Sequence, residues 1–142
     1  MAEERHAPAP GAPPDAEELV ASMPFAGLCG VEVTGTHKDQ VTGSLAWSAD
    51  RCTTGGVVHG AALMTLADTL GAVCAFLNLP PGAGTSTLES KTNFFRGLRA
   101  GAAHAVARPL HVGRTTIVVQ TDVTDDDGRR LAQITQTQIV LR

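Results

Sequence analysis

One continuous stretch, residues 54–77, constrains the fold more than any other part of the chain. It opens with a glycine pair and a His-Gly step, then runs to Leu77 with residues that are apolar or small on nearly every side. A helix that is apolar all round is a buried helix rather than a surface helix. The sequence therefore predicts a central buried helix over residues 59–77, with the rest of the chain packed around it.

A single formal charge, Asp68, lies between Arg51 and Glu89, near the middle of that predicted helix. Burying an unpaired carboxylate costs several kcal/mol, so a protein rarely retains one without a reason. A carboxylate held by threonine hydroxyls for structural reasons is the alternative explanation. Asp68 is nevertheless the first candidate for a functional residue.

Length and charge limit the possible classes of protein. A chain of 142 residues predicts one domain, over residues 15–142, after a disordered tail over residues 1–14 that is rich in Ala and Pro. The net charge of −3 argues against a nucleic-acid-binding protein. The apolar stretch is nearly long enough to span a bilayer, but its Ala, Gly and Thr content and its central Asp68 favour a core helix, so we expect no membrane partner.

The cysteines indicate neither disulfides nor zinc. There are three, and their odd number and wide spacing fit neither a disulfide framework nor a zinc site. His104 and His111 have no companion carboxylate at ligand spacing, so no metal site is predicted. A reduced, cytoplasmic location is the simplest interpretation.

The remaining elements predict an α+β fold. Asp15 is a plausible N-cap for a short helix that ends before Pro24. Strand-like alternation, separated by turn residues, covers residues 29–36, 40–47, 86–95, 102–112, 115–123 and 131–141. Because strands do not alternate with helices, we expect an antiparallel sheet of five to six strands curved around the long helix.

Backbone amides at the start of the long helix are candidates for binding negative charge. Gly55, Gly56, His59 and Gly60 lead into it, and free amides at a helix N-terminus can polarise a carbonyl oxygen that becomes an oxyanion. Shaping a loop is the equally weighted alternative for these glycines. His59 is a general base by residue type, although an orienting role at the helix start is favoured.

The spacing between Gly60 and Asp68 predicts an oligomer. Eight residues of helix separate them by roughly 12 Å at 1.5 Å per residue. One chain therefore cannot bring both to the same substrate atom. Two antiparallel helices in a two-fold dimer would bring Gly60 of one subunit to Asp68 of the other.

Cysteine nucleophiles and basic residues are weaker candidates. Cys52 and Cys74 are nucleophiles by type, but Cys74 lies on the predicted buried helix and suits a small core position. Basic side chains near predicted turns could hold a phosphate-bearing ligand, although such residues are more often simply solvated. They are Arg96, Arg99 and Arg114.

Together these motifs resemble the hotdog-fold acyl-CoA thioesterases, the phenylacetate-pathway type and its 4-hydroxybenzoyl-CoA thioesterase relatives. That family has a polar residue, a glycine-rich loop, His-Gly-Gly and an acidic residue nine positions after the histidine. This chain has Thr53, Gly56, His59-Gly60-Ala61 and then Asp68. A strand ending in Phe94-Phe95-Arg96-Gly97, a Gly113-Arg114 bend and an Asp127-Gly128 hairpin also match over residues 24–142.

The resemblance implies a role for each matching residue. Asp68 would be the general base or nucleophile toward the thioester, and the Gly60 amide would polarise its carbonyl. Thr87 falls where relatives have a Ser or Thr that positions the attacking water, and Thr53 falls where they usually have Asn or Gln. The loop residues Gly56 and Val58 would contact substrate, and the CoA phosphates would meet Arg96, Arg99 and Arg114.

The resulting prediction is an acyl-CoA thioesterase of the hotdog fold that requires no cofactor or metal, CoA being part of the substrate. The acyl group is expected to be aromatic or medium-chain. The expected assembly is a homodimer that completes the site, within a homotetramer. A hotdog dehydratase and a non-catalytic acyl-CoA-binding or regulatory module remain the alternatives.

Overall fold

The computed structural model describes residues 15–142, and the predicted tail over residues 1–14 lies outside them. Three helices and six strands make up the described chain. They are α1 (Ala16–Ala21), α2 (Pro24–Leu28), β1 (Val31–His37), β2 (Gln40–Ala46), α3 (Gly60–Leu77), β3 (Gly84–Phe94), β4 (Ala102–Val112), β5 (Thr116–Thr124) and β6 (Arg130–Leu141). Two short 3₁₀ turns, Ala49–Arg51 and Thr54–Gly56, lie between β2 and α3.

All six strands form one antiparallel sheet in the order β1-β2-β4-β5-β6-β3. Buried and half-exposed residues alternate along β5 and β6, as expected when one face of a sheet packs on the core. The long helix α3 lies against that face. The predicted α+β hotdog architecture, with one long helix and a curved antiparallel sheet, is thereby confirmed.

Only one side of α3 is buried, and here the prediction of a helix buried all round was wrong. Leu66 and Leu70 are fully buried against the sheet, whereas Met64 and Phe76 are exposed. Asp68 lies on this exposed side. By length and composition α3 is the one helix among residues 15–142 that could span a membrane, but half of it is buried within the chain.

The structure also corrects the beginning of the chain. A second helix, α2, starts at Pro24, which the sequence analysis placed after the end of a single helix. Proline suits the first position of a helix because the N–H it lacks would have no partner there. Cys29 then caps α2, so β1 begins at Val31 and not at residue 29.

The carboxylate of Asp125 accepts the hydrogen bonds that stabilise the hairpin between β5 and β6. Asp125 is buried and accepts hydrogen bonds from the backbone N–H groups of Asp127 and Arg129 and, at 2.8 Å, from Arg129 Nε. Burial works to raise the pKa of Asp125, but these hydrogen bonds outweigh it and lower the pKa below its usual range. A lowered pKa in the folded state means that the ionised carboxylate stabilises the fold.

We expect Asp125→Asn to lower the free energy of unfolding most at neutral pH. Because the folded pKa is depressed, the stabilisation is present above the unfolded value of about 3.9 and is lost as the pH falls through the folded value. Urea unfolding at pH 7 and in steps down to pH 3 measures the difference, which should shrink in acid. Asp50→Asn, at an exposed position, is the control, and a difference independent of pH would contradict the prediction.

Candidate active site

The carboxylate of Asp68 is held by two neutral donors on neighbouring strands. Thr87 Oγ1 donates to Asp68 Oδ1 at 3.0 Å, and Gln136 Nε2 donates to the same oxygen at 3.3 Å. Within one chain Asp68 is therefore paired and exposed, not buried and unpaired as the sequence suggested. Both donors reach Oδ1, so Oδ2 is the oxygen left toward solvent.

Strand β3 contains a β-bulge directly after Thr87, the residue whose hydroxyl contacts Asp68 on α3. The register between β3 and β6 shifts between Thr87 and Glu89, and Leu88 at the shift is exposed. A bulge inserts one extra residue, which changes the face on which the following side chains lie. In this arrangement the single hydroxyl proton of Thr87 is directed at Asp68 Oδ1.

Two buried glutamines that the sequence analysis missed complete this network. Gln136 and Gln138 are fully buried at inward positions of β6. Gln138 Nε2 donates to Thr87 Oγ1 at 2.7 Å, and its Oε1 accepts from Thr85 Oγ1 at 3.2 Å. Hydrogen bonds thus run in one direction from Thr85 through Gln138 and Thr87 to Asp68. The sequence clue is polar residues at alternate, otherwise apolar positions of a core strand.

The loop before α3 is rigidly held. Gly55 and Gly56 have φ of 79° and 72°, a region that favours glycine. The Gly55 carbonyl accepts from Arg99 Nη1 at 2.7 Å, and the Gly56 carbonyl accepts from Trp47 Nε1 at 3.0 Å. Val58 is buried at the base of the loop and donates its N–H to the Leu98 carbonyl at 2.9 Å. These contacts set where α3 begins.

Thr53, Gly60 and His59 lie around this helix start. Thr53 is exposed and donates its N–H to the Val57 carbonyl. His59 is the N-cap of α3, and its Nδ1 accepts from the Ala61 N–H at 3.0 Å. With Nδ1 so occupied, the proton of the neutral ring lies on Nε2, and the ring orients the helix start. Gly60 is the first residue of α3.

Several predicted site residues are not brought together within one chain. Gly60 and Asp68 lie on the same helix, about 12 Å apart along its axis. Arg96 and Arg99 precede β4, whereas Arg114 follows it. The 11 residues of β4 separate them by about 33 Å. Arg99 also binds the Gly55 carbonyl, so it supports the loop whether or not it meets a ligand.

An apolar pocket continues from Asp68 along α3. Ala72 lies one helical turn beyond Asp68 on the same face, and Thr85 lies two residues before Thr87 on β3. The pocket holds about 370 Å³, and its walls come from α1, the residues after it, α3 and β3. They are Glu18, Leu19, Ser22, Met23, Ala72, Val73, Phe76 and Thr85.

Other reactive residues lie away from this site. Burial, with a contribution from the charge of Asp39, raises the pKa of Cys74 to about 11, which disfavours the nucleophilic thiolate at neutral pH. His104 Nε2 lies 2.6 Å from Asp126 Oδ1, and that hydrogen bond lowers the pKa of the carboxyl. Within residues 15–142, no group of three His, Cys, Asp or Glu side chains has the arrangement of a metal site.

We expect His59→Ala to destabilise the protein by about 1 kcal/mol, the usual loss when a helix N-cap is removed. His59→Asn is the matched variant, because asparagine supplies an acceptor for the first-turn amides and should retain most of the stability. Thermal and urea unfolding of the two variants measure the difference. A His59→Ala variant as stable as wild type would mean that the ring Nδ1 does not act as the cap.

Comparison with known proteins places this chain in a family. A family model described as the thioesterase superfamily matches residues 55–132. Over 133 residues the chain is 32% identical to Pseudomonas aeruginosa PA1618, covering 90% of this chain and 92% of that protein. A crystal structure of a PA1618 mutant, named there as a thioesterase, has a TM-score of 0.86 at 31% identity and covers 92% of this chain and 96% of its own.

Two further similarities concern CoA. The 1,4-dihydroxy-2-naphthoyl-CoA hydrolase of Escherichia coli is 31% identical over 86 residues, covering 61% of this chain and 63% of that enzyme. A thioesterase-fold protein of Streptococcus pneumoniae, solved with coenzyme A, has a TM-score of 0.76 at 23% identity, covering 87% of this chain and 96% of its own. The second similarity shows a shared fold.

Proposed function

This chain belongs to the thioesterase superfamily and is a thioester hydrolase, and we propose that it hydrolyses an acyl-CoA with Asp68 as the catalytic carboxylate. One observation supports this most strongly. The Asp68 carboxylate is exposed on α3 with Oδ1 held by Thr87 and Gln136, next to an apolar pocket. A base or nucleophile needs this combination of fixed orientation and access.

As a general base, Asp68 would take a proton from a water molecule as its oxygen bonds to the thioester carbonyl carbon. The C–S bond then breaks, Asp68 returns the proton to the departing sulfur so that CoA leaves as its thiol, and the acyl group, which has gained the water oxygen, leaves as a carboxylic acid. As a nucleophile, Asp68 would first form an anhydride that water opens, and the overall reaction is the same. A positioned base contributes typically about 10²–10⁴-fold to the rate.

The carbonyl oxygen would be polarised by the Gly60 amide of the partner subunit. In the sheet order β3 is an edge strand, and its residues are almost all exposed, including Leu88 and Phe94. A long exposed edge strand with apolar residues is normally covered. Pairing β3 with β3 of a second copy would cover it and bring the exposed faces of the two α3 helices together, Gly60 toward Asp68.

The apolar pocket would take an acyl group of medium length or with one aromatic ring. Its volume of about 370 Å³ lies at the lower end of ligand pockets. The Ser22 hydroxyl already donates to the Leu19 carbonyl. The Thr85 hydroxyl proton is shared between the Ile139 carbonyl at 2.9 Å and Gln138 Oε1 at 3.2 Å, so neither hydroxyl needs a hydrogen-bond partner from the acyl group. The Glu18 side chain at the wall would disfavour acyl groups with a distal carboxylate.

The CoA phosphates would lie near the loop before α3. Arg96 and Arg99 are exposed in the connection from β3 to β4, and Arg99 reaches the Gly55 carbonyl of that loop. In this arrangement Gly56 and Val58 form the floor of the entrance, and Thr53 lies at its side near the attacking water. Arg114 is too distant within one chain, so it would act only from another subunit.

We expect Asp68→Asn to lower kcat at least about 10³-fold while leaving the Kd for a CoA ester within a few-fold, because the amide keeps the shape but cannot accept the proton. Thiol release is measured over a panel of benzoyl-, phenylacetyl-, hexanoyl-, octanoyl- and succinyl-CoA. It gives the turnover rate and shows which kind of acyl group the protein hydrolyses. Asp50→Asn is the control for the loss of one surface charge. We expect little turnover of succinyl-CoA.

Other outcomes of this panel would select the alternatives. Full turnover by Asp68→Asn would contradict a catalytic role for the carboxylate. An absence of turnover by the wild-type chain, with CoA esters still bound, would indicate a binding module. Hydration or dehydration of an acyl-CoA without thiol release would indicate a dehydratase.

Mixing two inactive variants tests whether each site is shared between subunits. Gly60→Pro removes the amide hydrogen at the first helical position, where the backbone accepts proline, and His59 already has the extended backbone that precedes proline. The added Cβ would lie 3.0 Å from Phe94 Cζ, so this exposed ring must shift slightly. In a mixed dimer of Gly60→Pro and Asp68→Asn, one site regains both wild-type groups. Random exchange should restore about a quarter of wild-type activity.

Light scattering and native mass spectrometry give the assembly, which we expect to be a homodimer or a homotetramer made of two dimers. Asp68→Asn carried alone through the same mixing procedure is the control for residual activity, and native mass spectrometry shows whether heterodimers have formed. If the mixed variants form heterodimers that stay inactive, the two groups do not act on the same thioester across the interface.

A further inference from the structure

We infer that the buried amide of Gln136, packed against the helix backbone at Gly71, is a positioning group that fixes Asp68 with Oδ2 as its reacting oxygen. The inference rests on the proposed function of Asp68. Gln136 is fully buried on β6 and lies within hydrogen-bond distance of Asp68 Oδ1. It does not touch the apolar pocket, so its effect on catalysis would pass through Asp68.

Chemistry settles which way the Gln136 amide faces. An ionised carboxylate only accepts hydrogen bonds, so the NH₂ group must face Asp68 and Oε1 must face away. The same reasoning orients Gln138, because Thr87 gives its proton to Asp68 and must accept from an NH₂ group. Two independent chains of donors from β6 therefore end on Oδ1, one of them direct and the other through Thr87.

Gly71 makes this placement of Gln136 possible. A Cβ atom added at Gly71 would lie 2.3 Å from Gln136 Oε1 and 2.4 Å from its Cδ. The amide thus occupies the space that any other residue at position 71 would fill. A glycine in the middle of a helix destabilises it by about 1 kcal/mol relative to alanine. At position 71 this loss of helix stability accompanies the space that the Gln136 amide occupies.

Gln136 is also unfavourable for stability in its own right. Its Oε1 is buried without a hydrogen-bond partner among the described residues, and leaving a buried acceptor unsatisfied is costly. A methionine of similar length would remove that loss. A side chain that weakens the core but orients a catalytic carboxylate is the pattern expected when stability and activity compete.

Gln136→Met is the direct test, with Gln133→Met as the matched control on the outer side of the same strand, where Gln133 binds Asp122. We expect kcat to fall about tenfold, because the carboxylate loses one of the two donors that orient it. KM should stay within about twofold, and the protein should be at least as stable as wild type.

Gly71→Ala should likewise lower kcat with little change in KM, because its methyl group displaces the amide from Asp68. The double variant should be no slower than the slower single variant, since both changes remove the same hydrogen bond. A wild-type kcat in Gln136→Met would overturn the inference. So would a fall in kcat that comes with a matching rise in KM and a loss of stability, as a purely structural role predicts.

Asp68→Asn, measured in parallel, separates the two proposals. If Asp68→Asn is inactive and Gln136→Met behaves as wild type, the role of Asp68 stands and the positioning role of Gln136 fails. If Asp68→Asn keeps full turnover, the catalytic carboxylate lies elsewhere and both proposals fail.

Discussion

The hydrogen bond from Thr87 to Asp68 links the three elements on which the site depends. It crosses from the edge strand β3 to α3, and the amide of Gln138 on β6 supports it from behind. In this arrangement β3 carries a bulge after Thr87, and β6 places two glutamines on its inner face. The position of β3 next to β6, at the edge of the sheet, is therefore a requirement of the site as well as a property of the topology.

Local patterns predicted the elements well because they arise from neighbours in sequence. Apolar periodicity and turn residues identified α3 and the strands to within a few residues, and β4 was predicted with its observed bounds. The order of strands was not predictable, since β3 pairs with β6 across a long stretch of chain. Nor could composition distinguish the face of α3 that packs on its own sheet from the face that carries Met64 and Phe76. Both faces are apolar, although only one of them packs on the sheet of its own chain.

The site was predictable in part for the same reason. Asp68 was noticeable as a charge within an apolar helix, and His59 and Gly60 as residues at its start. Gln136 and Gln138 gained their meaning only when the fold brought β6 behind Asp68. The sequence also suggested that Asp68 is buried and unpaired, whereas within one chain it is exposed and held by two donors. The alternation of polar and apolar residues along β6 shows which side chains face inward, but it does not show which residues of α3 and β3 they contact.

Three features of a single chain are unfavourable for its stability, and all three lie close to Asp68. The β3 edge is long and uncovered, one side of α3 exposes apolar residues, and a glutamine with an unsatisfied Oε1 lies in the core. The first two are relieved if a second copy covers them, and that same contact would supply the Gly60 amide that one chain holds about 12 Å from Asp68. The third is not relieved by assembly, because Gln136 is already buried within its own chain. The inferred positioning role gives this costly amide a purpose, and the proposed dimer would act on the same carboxylate from the opposite side.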